Sequence, residues 1–439
     1  MSHRPLSSIG IALAAILASS STTGRADVLD VRSTTILSSR VDARDGQSYR
    51  LVPAYELVSL TARDVQNPVA EDLQLVVSAW GELDMGPNLR WDNRNLKDSR
   101  LGGDLDLAYV QGDVLKRSLQ IRLGRQLVAG GVARVVQLDG AQVVIRPPLQ
   151  LPVDLGLSAY VGSPVTARFS GWNGETTLSP ARGNLAAGGR FFAILPRYGE
   201  LGLSLALERD HGDPSRKDMG ADLRIYPVRW LTLLASTLYT LGEDRFGEVD
   251  LSATAQALGK LQVTVDYRHT EPDLLLARDS ILSVFAADRR NEAGAIVSAG
   301  PFANVTVEAD YHYLLEDAGR HGHRGRLRGN WHILRTTTAG AEVMLLNQPD
   351  NTYVGGRLFA SHVQGRFSFT ADLQDYKLRE EVNGRANSFL ATLSAGYQIA
   401  RDLSALLAAT AGNTPLLSSR LDVLAKLVYS PSFHVREVR

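Results

Sequence analysis

The stretch "HGHRGR", His321 to Arg326, sets two imidazoles two residues apart beside two arginines. Imidazole is the commonest side-chain ligand for transition metals, so the pair raises the question of a metal site. Such a site needs further convergent donors, and no carboxylate cluster completes one around His321 and His323. The expectation is a solvated polar loop and no metal. Nucleophilic catalysis fares no better. It needs a Ser or Asp within hydrogen-bond reach of a His, and His269, His312 and His362 are scattered with nothing to assemble such a pair. The glycine pairs Gly130–Gly131, Gly188–Gly189 and Gly355–Gly356 precede no helix with Lys and Ser or Thr, so they are not phosphate loops. They read as bulges, kinks or strand starts. Neither a catalytic residue nor a cofactor is expected.

What remains is charge placed at every second position. In "NVTVEADYHY", Val305, Val307, Ala309, Tyr311 and Tyr313 alternate with Thr306, Glu308, Asp310 and His312. A period of two puts the sets on opposite faces of a β-strand. "LQVTVDYRH", "RFSFTADLQDY", "ELGLSLALE", "SFLATLSAGY" and "LDVLAKLVY" repeat the pattern. Links such as "PRYGE", "PVRW", "GK" and "GPFA" alternate with longer polar ones, among them "DMGPNLRWDNRNLKDS", "VGSPVTARFSGWNGETTLSPARG", "EPDLLLARDSILSVFAADRRN", "EDAGRHGHRGR" and "KLREEVNGRA". Short turns at one end and longer loops at the other are the hairpin asymmetry of a membrane barrel. Placed by these turns, about 22 strands run from near 31–43 to near 418–429, with 18 or 20 as the other even counts, and both termini fall at the short-turn end. The fold class expected is all-β: a transmembrane antiparallel up-and-down β-barrel. The roughly 25 residues between Ala26 and the strand expected at 49 are too few for a plug domain.

The uncharged faces then meet lipid, where Arg or Lys at mid-depth costs about 2–4 kcal/mol, and the charged faces meet the lumen. By that phase the pore-lining acids are Asp104, Asp106, Glu208, Asp222, Asp266, Glu308, Asp310, Glu342 and Asp372. The pore-lining bases are Arg122, Arg224, Arg268, Arg357, Arg366 and Lys426. Tyr109, Tyr160, Tyr267, Tyr311, Tyr313, Tyr376, Tyr397 and Tyr429 lie near strand ends and fit interfacial girdles.

Composition and address agree. Lys plus Arg and Asp plus Glu are 47 each, so no net field favours nucleic acid. Arg4, the short apolar run "IGIALAAIL" and the small residues Gly24 and Ala26 give the order of a secretory signal peptide over residues 1–26, leaving 27–439 as the barrel. Later apolar runs are all broken by charge, Gly, Pro or Asn, which excludes a helical membrane protein. The chain contains no cysteine, hence no disulfide framework.

At "RSLQIRLGRQLVAGGVARVVQLDGAQVVI", Arg117 to Ile145, the chain resembles porin-like outer-membrane barrels of Gram-negative bacteria, through Leu123, Gly124, Arg125, Gln126, Leu138, Asp139 and Gly140. The resemblance implies an outer-membrane location and a terminal aromatic signal, for which Tyr429 or Phe433 is the candidate in "YSPSFHVREVR". The function it implies is a channel for passive diffusion of small hydrophilic solutes. The alternative is the outer-membrane barrel of a polysaccharide export or envelope-spanning machine. Partners expected are outer-membrane lipid, small hydrophilic solutes and, for the alternative, periplasmic export partners.

Overall fold

A computed structural model describes residues 26–44, 47–65, 70–85, 101–131, 133–149, 151–169, 176–180, 184–210, 213–257, 260–272, 289–348 and 352–434. The expected leader lies almost wholly outside the described residues. The first strands are β1 (Ala26–Arg44), β2 (Gln47–Leu51), β3 (Pro53–Val65), β4 (Glu71–Asp84), β5 (Leu101–Val114), β6 (Leu119–Gly130), β7 (Ala133–Ile145), β8 (Asp154–Phe169) and β9 (Thr176–Pro180). Then come β10 (Leu185–Leu195), β11 (Gly199–Asp210), β12 (Asp213–Val228), β13 (Leu231–Thr240), β14 (Arg245–Ala257), β15 (Leu261–Thr270), β16 (Arg290–Phe302) and β17 (Val305–Glu316). The last are β18 (His321–Leu334), β19 (Thr337–Asn347), β20 (Thr352–Gln364), β21 (Phe367–Val382), β22 (Arg385–Ala400), β23 (Leu403–Asn413), β24 (Ser419–Tyr429) and β25 (Ser432–His434).

Twenty-two of these strands form a closed antiparallel barrel. Each pairs with its sequence neighbours, and β24 returns to pair with β1 from Ser33↔Tyr429 to Ala43↔Ser419. The short β2 and β25 extend the pairing of β1, and β9 pairs with β8. Closure leaves no sheet edge, which a medium without water demands of every backbone N–H and C=O. The region near 31–43, weakly patterned as a strand, is part of the longest element, 19 residues in β1. No separate plug domain is present among the described residues. The connections 85–100, 170–184 and 271–289, the longest in the chain, all fall at the end opposite the termini.

Side chains sort by parity. On β17, Asp310 and His312 are 8% and 3% exposed whereas Tyr311 is 54% exposed. On β11, Leu201, Leu203, Leu205 and Leu207 are exposed outward while Gly202, Ser204, Ala206 and Glu208 face in. Leucines exposed all around the outside are unstable in water and stable in hydrocarbon. Each gains about 1.5–3 kcal/mol when removed from water, against roughly 0–1 kcal/mol for an ion pair in a wet interior. The outer surface, not the inner charges, therefore fixes the medium this barrel occupies.

Two sequence expectations change. "EDAGRHGHRGR" and "KLREEVNGRA" are not long loops: β17 to β18 is linked by residues 317–320 and β21 to β22 by 383–384, the strands running on to the tips. His321 and His323 thus lie on a strand. They share the outward face with Tyr311 and Tyr313, with His323 Nδ1 2.5 Å from the Tyr311 hydroxyl and the His321 ring stacked on Tyr313 at 6.4 Å. They belong to an aromatic belt near the loop end. Conversely, Tyr109, Tyr160 and Tyr376 face inward: Tyr109 lies beneath Arg122, Tyr160 is buried against Val128 and Leu138, and the Tyr376 hydroxyl donates to Gln374.

The face assignment gives a direct test. Leu358 is 57% exposed on the outward face at the middle of β20, and Thr370 is on the inward face of β21, bonded to Ser394. Leu358→Arg is expected to destabilise the inserted barrel by about 2–4 kcal/mol, whereas Thr370→Arg leaves stability near wild type. Denaturant unfolding from lipid bilayers measures both, and equal losses would reverse the faces.

Candidate functional site

The barrel wall is interrupted where the sequence resemblance is concentrated. Gly124 on β6 pairs with Gly140 on β7, which pairs with Gly162 on β8. Gly124 has φ +118°, and a Cβ there would stand 2.2 Å from the Ala108 carbonyl oxygen. A Cβ at Gly140 would stand 2.1 Å from the Val161 oxygen. Only glycine permits so close an approach, and the chain turns inward at this pair. Beyond it the β6–β7 hairpin leaves its neighbours: β5 pairs with β6 only as far as Ala108↔Arg125, and β8 with β7 only as far as Pro164↔Leu138. The β8–β9 hairpin stands beside the upper part of β5 in its place.

The displaced hairpin has both faces engaged. On one, Val128, Leu138 and Tyr160 form a buried apolar cluster with Val136 against it, and Gln126 is fully buried, its amide donating to the carbonyls of Arg122 at 3.4 Å and Gly140 at 3.3 Å. On the other, Arg125 donates to Asp139 at 2.8 Å, to the Leu105 carbonyl at 2.8 Å and to Asp104 at 3.4 Å. Gln137 donates to the Asp106 carbonyl. The tip crosses inside β8 and β10 to reach β11, where a Cβ on Gly131 would meet the Ser204 hydroxyl at 2.3 Å. The "LGRQ" and "LDG" elements are therefore a bend and its two anchors, and the hairpin occupies part of the lumen.

Next to the tip is a cavity of about 730 Å³ lined by charged groups of β10 to β18. Arg190 donates to Glu200 at 2.7 Å and to Asp222 at 3.1 Å. Arg268 donates to Asp250 at 2.6 Å, and Arg324 lies 2.5 Å from Glu292. His312 Nε2 is 3.0 Å from Asp266, two strands away. That reach depends on the intervening Gly294, where a Cβ would stand 2.3 Å from the imidazole. Gly202 makes the same room for Arg190.

Other residues expected on the inner face are distributed as follows. Arg326 donates to Asp310 at 2.6 Å and to Glu308 at 2.8 Å, and Arg357 donates to Asp372 at 2.8 Å. Glu342 is buried, in register with Arg328 and Arg357. Arg122 donates to Gln111 at 2.8 Å with its guanidinium 4.9 Å above the Tyr109 ring. Glu208 and Lys426 keep inward phase on β11 and β24. Arg224 is exposed within the cavity. Arg366 departs from the wall: it sits in the turn before β21 and donates to the Ile399 carbonyl at 3.4 Å. Asp104 and Asp106 anchor the hairpin rather than stand free. Sequence reasoning missed Arg125, Asp139, Arg190, Arg324 and Arg326. The last two share a face with Arg328 at a period of two, a signal hidden by assigning "HGHRGR" to a loop.

No protein-family model matches the chain. No curated protein matches it either. Among solved structures, the P pilus usher (PapC) translocation pore superposes with a TM-score of 0.50 at 11% identity, covering 93% of this chain and 100% of that one. A mutant ferric enterobactin receptor (PfeA) from Pseudomonas aeruginosa gives 0.52 at 9% identity, covering 91% and 80%. OccAB4 of Acinetobacter baumannii gives 0.45 at 8% identity, covering 92% and 98%. At such identities the likeness is one of fold. The chain is an outer-membrane β-barrel of porin-like architecture.

Because the chain lacks cysteine, the inward position of the hairpin can be trapped cleanly. Gly131→Cys combined with Ser204→Cys is expected to cross-link on mild oxidation, read as a reductant-sensitive gel shift of the folded barrel. Persistent free thiols in both positions would place the tip elsewhere.

Proposed function

We propose that this protein is a porin-like channel of the outer membrane through which small hydrophilic solutes diffuse passively. The observation that carries the reading is the inner face itself: a belt of paired charges and hydroxyls around an unfilled cavity, bordered by a hairpin that narrows the lumen without a separate plug among the described residues. Charges in a wet interior add little to stability, about 0–1 kcal/mol per pair, so packing does not account for their number. They suit a water-filled path whose local field orders polar solutes.

In this reading Glu208, Asp222, Arg224, Asp266, Arg268, Glu308, Asp310, Glu342, Arg357, Asp372 and Lys426 border the path with Arg122, while Asp104 and Asp106 hold the constricting hairpin in place. Arg366 stands at the mouth nearest the termini. Residues 1–26 act as the export signal, and the chain needs no cofactor.

Purified protein in planar lipid bilayers is expected to give stable single-channel conductance. Reversal potentials under a salt gradient are expected to show a modest preference for cations, since acids outnumber bases on the inner face but are largely paired. A strong anion preference would contradict this account of the path. Folded protein without conductance would favour the export-machine alternative.

A further inference from the structure

The cavity beside the hairpin tip contains one cation that the protein leaves unmatched. Its charged lining falls on two adjacent cross-strand rows, one running through Asp222, Ser236, Asp250 and Arg268, the other through Glu200, Arg224, Leu234, Ser252 and Asp266. The acids of both rows are engaged: Glu200 and Asp222 by Arg190, Asp250 by Arg268, and Asp266 by His312. Arg224 is in register with Glu200, yet that carboxylate turns to Arg190. Arg224 makes no hydrogen bond or ion pair with any described residue. On the next two strands, Ser236 and Ser252 line the same cavity, and their hydroxyls are likewise without a partner among the described residues.

We infer that this patch is a docking site for the carboxylate of a small hydroxylated organic acid. The inference rests on the channel reading for how such a solute arrives. A guanidinium is always charged and presents a planar fork of donors that matches a carboxylate oxygen pair. The neighbouring strands offer Ser236 and Ser252 to the hydroxyls of the same molecule. Cations find no equivalent seat, because each acid of the two rows already holds its own base. A site of this kind is compatible with a modest cation preference in bulk conduction, since it acts through local donors and not through the summed field of the lumen.

The test uses gluconate as the probe and glucose as its uncharged counterpart. Binding is followed by saturation-transfer NMR on the detergent-folded barrel, which does not require an open pore, and by current block in planar bilayers. Wild type is expected to show saturable gluconate binding and block with no comparable effect of glucose. Arg224→Gln is expected to raise the half-saturating concentration about tenfold or more, the scale of losing a charge-assisted hydrogen-bonding group. Arg328→Gln, on the inner face outside the cavity and held by Asn330 and Phe359, is expected to leave it unchanged. Gluconate binding that is indifferent to Arg224→Gln, or matched by glucose, overturns the site. Conductance without gluconate binding removes the site and spares the channel. Arg224-dependent binding without conductance spares the site and removes the channel.

Discussion

Every feature of this barrel answers to one constraint: in hydrocarbon, a backbone N–H or C=O without a partner costs several kcal/mol, and there is no water to supply one. The chain meets it by returning its last long strand to its first. The seam between β1 and β24 is also where charges of both signs face each other inside, Arg40 opposite Asp422 and Asp42 opposite Arg420, with Ser38 donating to Asp422 at 2.9 Å. Those groups set the register of closure more than its strength, because a one-residue slip would move every one of them onto the lipid face. The same logic makes the inward β6–β7 hairpin costly to the wall, and the neighbouring β8–β9 hairpin makes up for part of the departure by lying beside β5.

A second consequence concerns how a wall of strands keeps its interior open while carrying large side chains. Glycines on one strand repeatedly receive the bulk of the next. A Cβ on Gly156 would stand 2.1 Å from the Phe192 ring, on Gly188 2.5 Å from the Tyr160 hydroxyl, on Gly340 2.3 Å from Phe359, and on Gly355 2.5 Å from Tyr376. Each ring lies flat over its neighbour instead of standing into the lumen. Long side chains lying flat also reach further, which is how His312 contacts Asp266 past Gly294 and Arg190 contacts Asp222 past Gly202. Glycine depletion of β-propensity is thus exchanged for space and for ion pairs between non-adjacent strands.

The barrel was legible because its signals are local. A period of two within ten residues and a turn between neighbours suffice to find a hairpin, and repeating that reading locates all the strands of the wall. The interior site was less legible, since its contacts depend on residues several strands apart. Nothing near Arg190 in "GGRFF" indicates that it will hold Glu200 and Asp222 together, and nothing near Asp104 indicates that Arg125 will reach it. Tyr109 and Tyr160 were assigned to a girdle because strand-end position is visible in sequence and facing is not, once a bend at Gly124 and Gly140 alters the geometry on either side. "HGHRGR" misled in the opposite direction: its polarity suggested a loop, while the alternation of its histidines and arginines was that of a strand whose histidines sit in the outer aromatic belt.

The bend also divides the inner charges into two kinds. Those beneath the hairpin, Asp104, Arg125 and Asp139, are covered by it and tied to one another and to backbone carbonyls, so they define a position. Those beyond its tip, from Arg190 to Arg324, pair across neighbouring strands and leave their outer atoms to the cavity. A carboxylate in the first group contributes to the path only by fixing where the hairpin lies; one in the second acts on whatever occupies the cavity. Counting acids and bases along the sequence treats both alike. The physical distinction is set by Gly124 and Gly140, because it is their close backbone approach that carries twelve residues out of the wall and decides which charges the lumen presents.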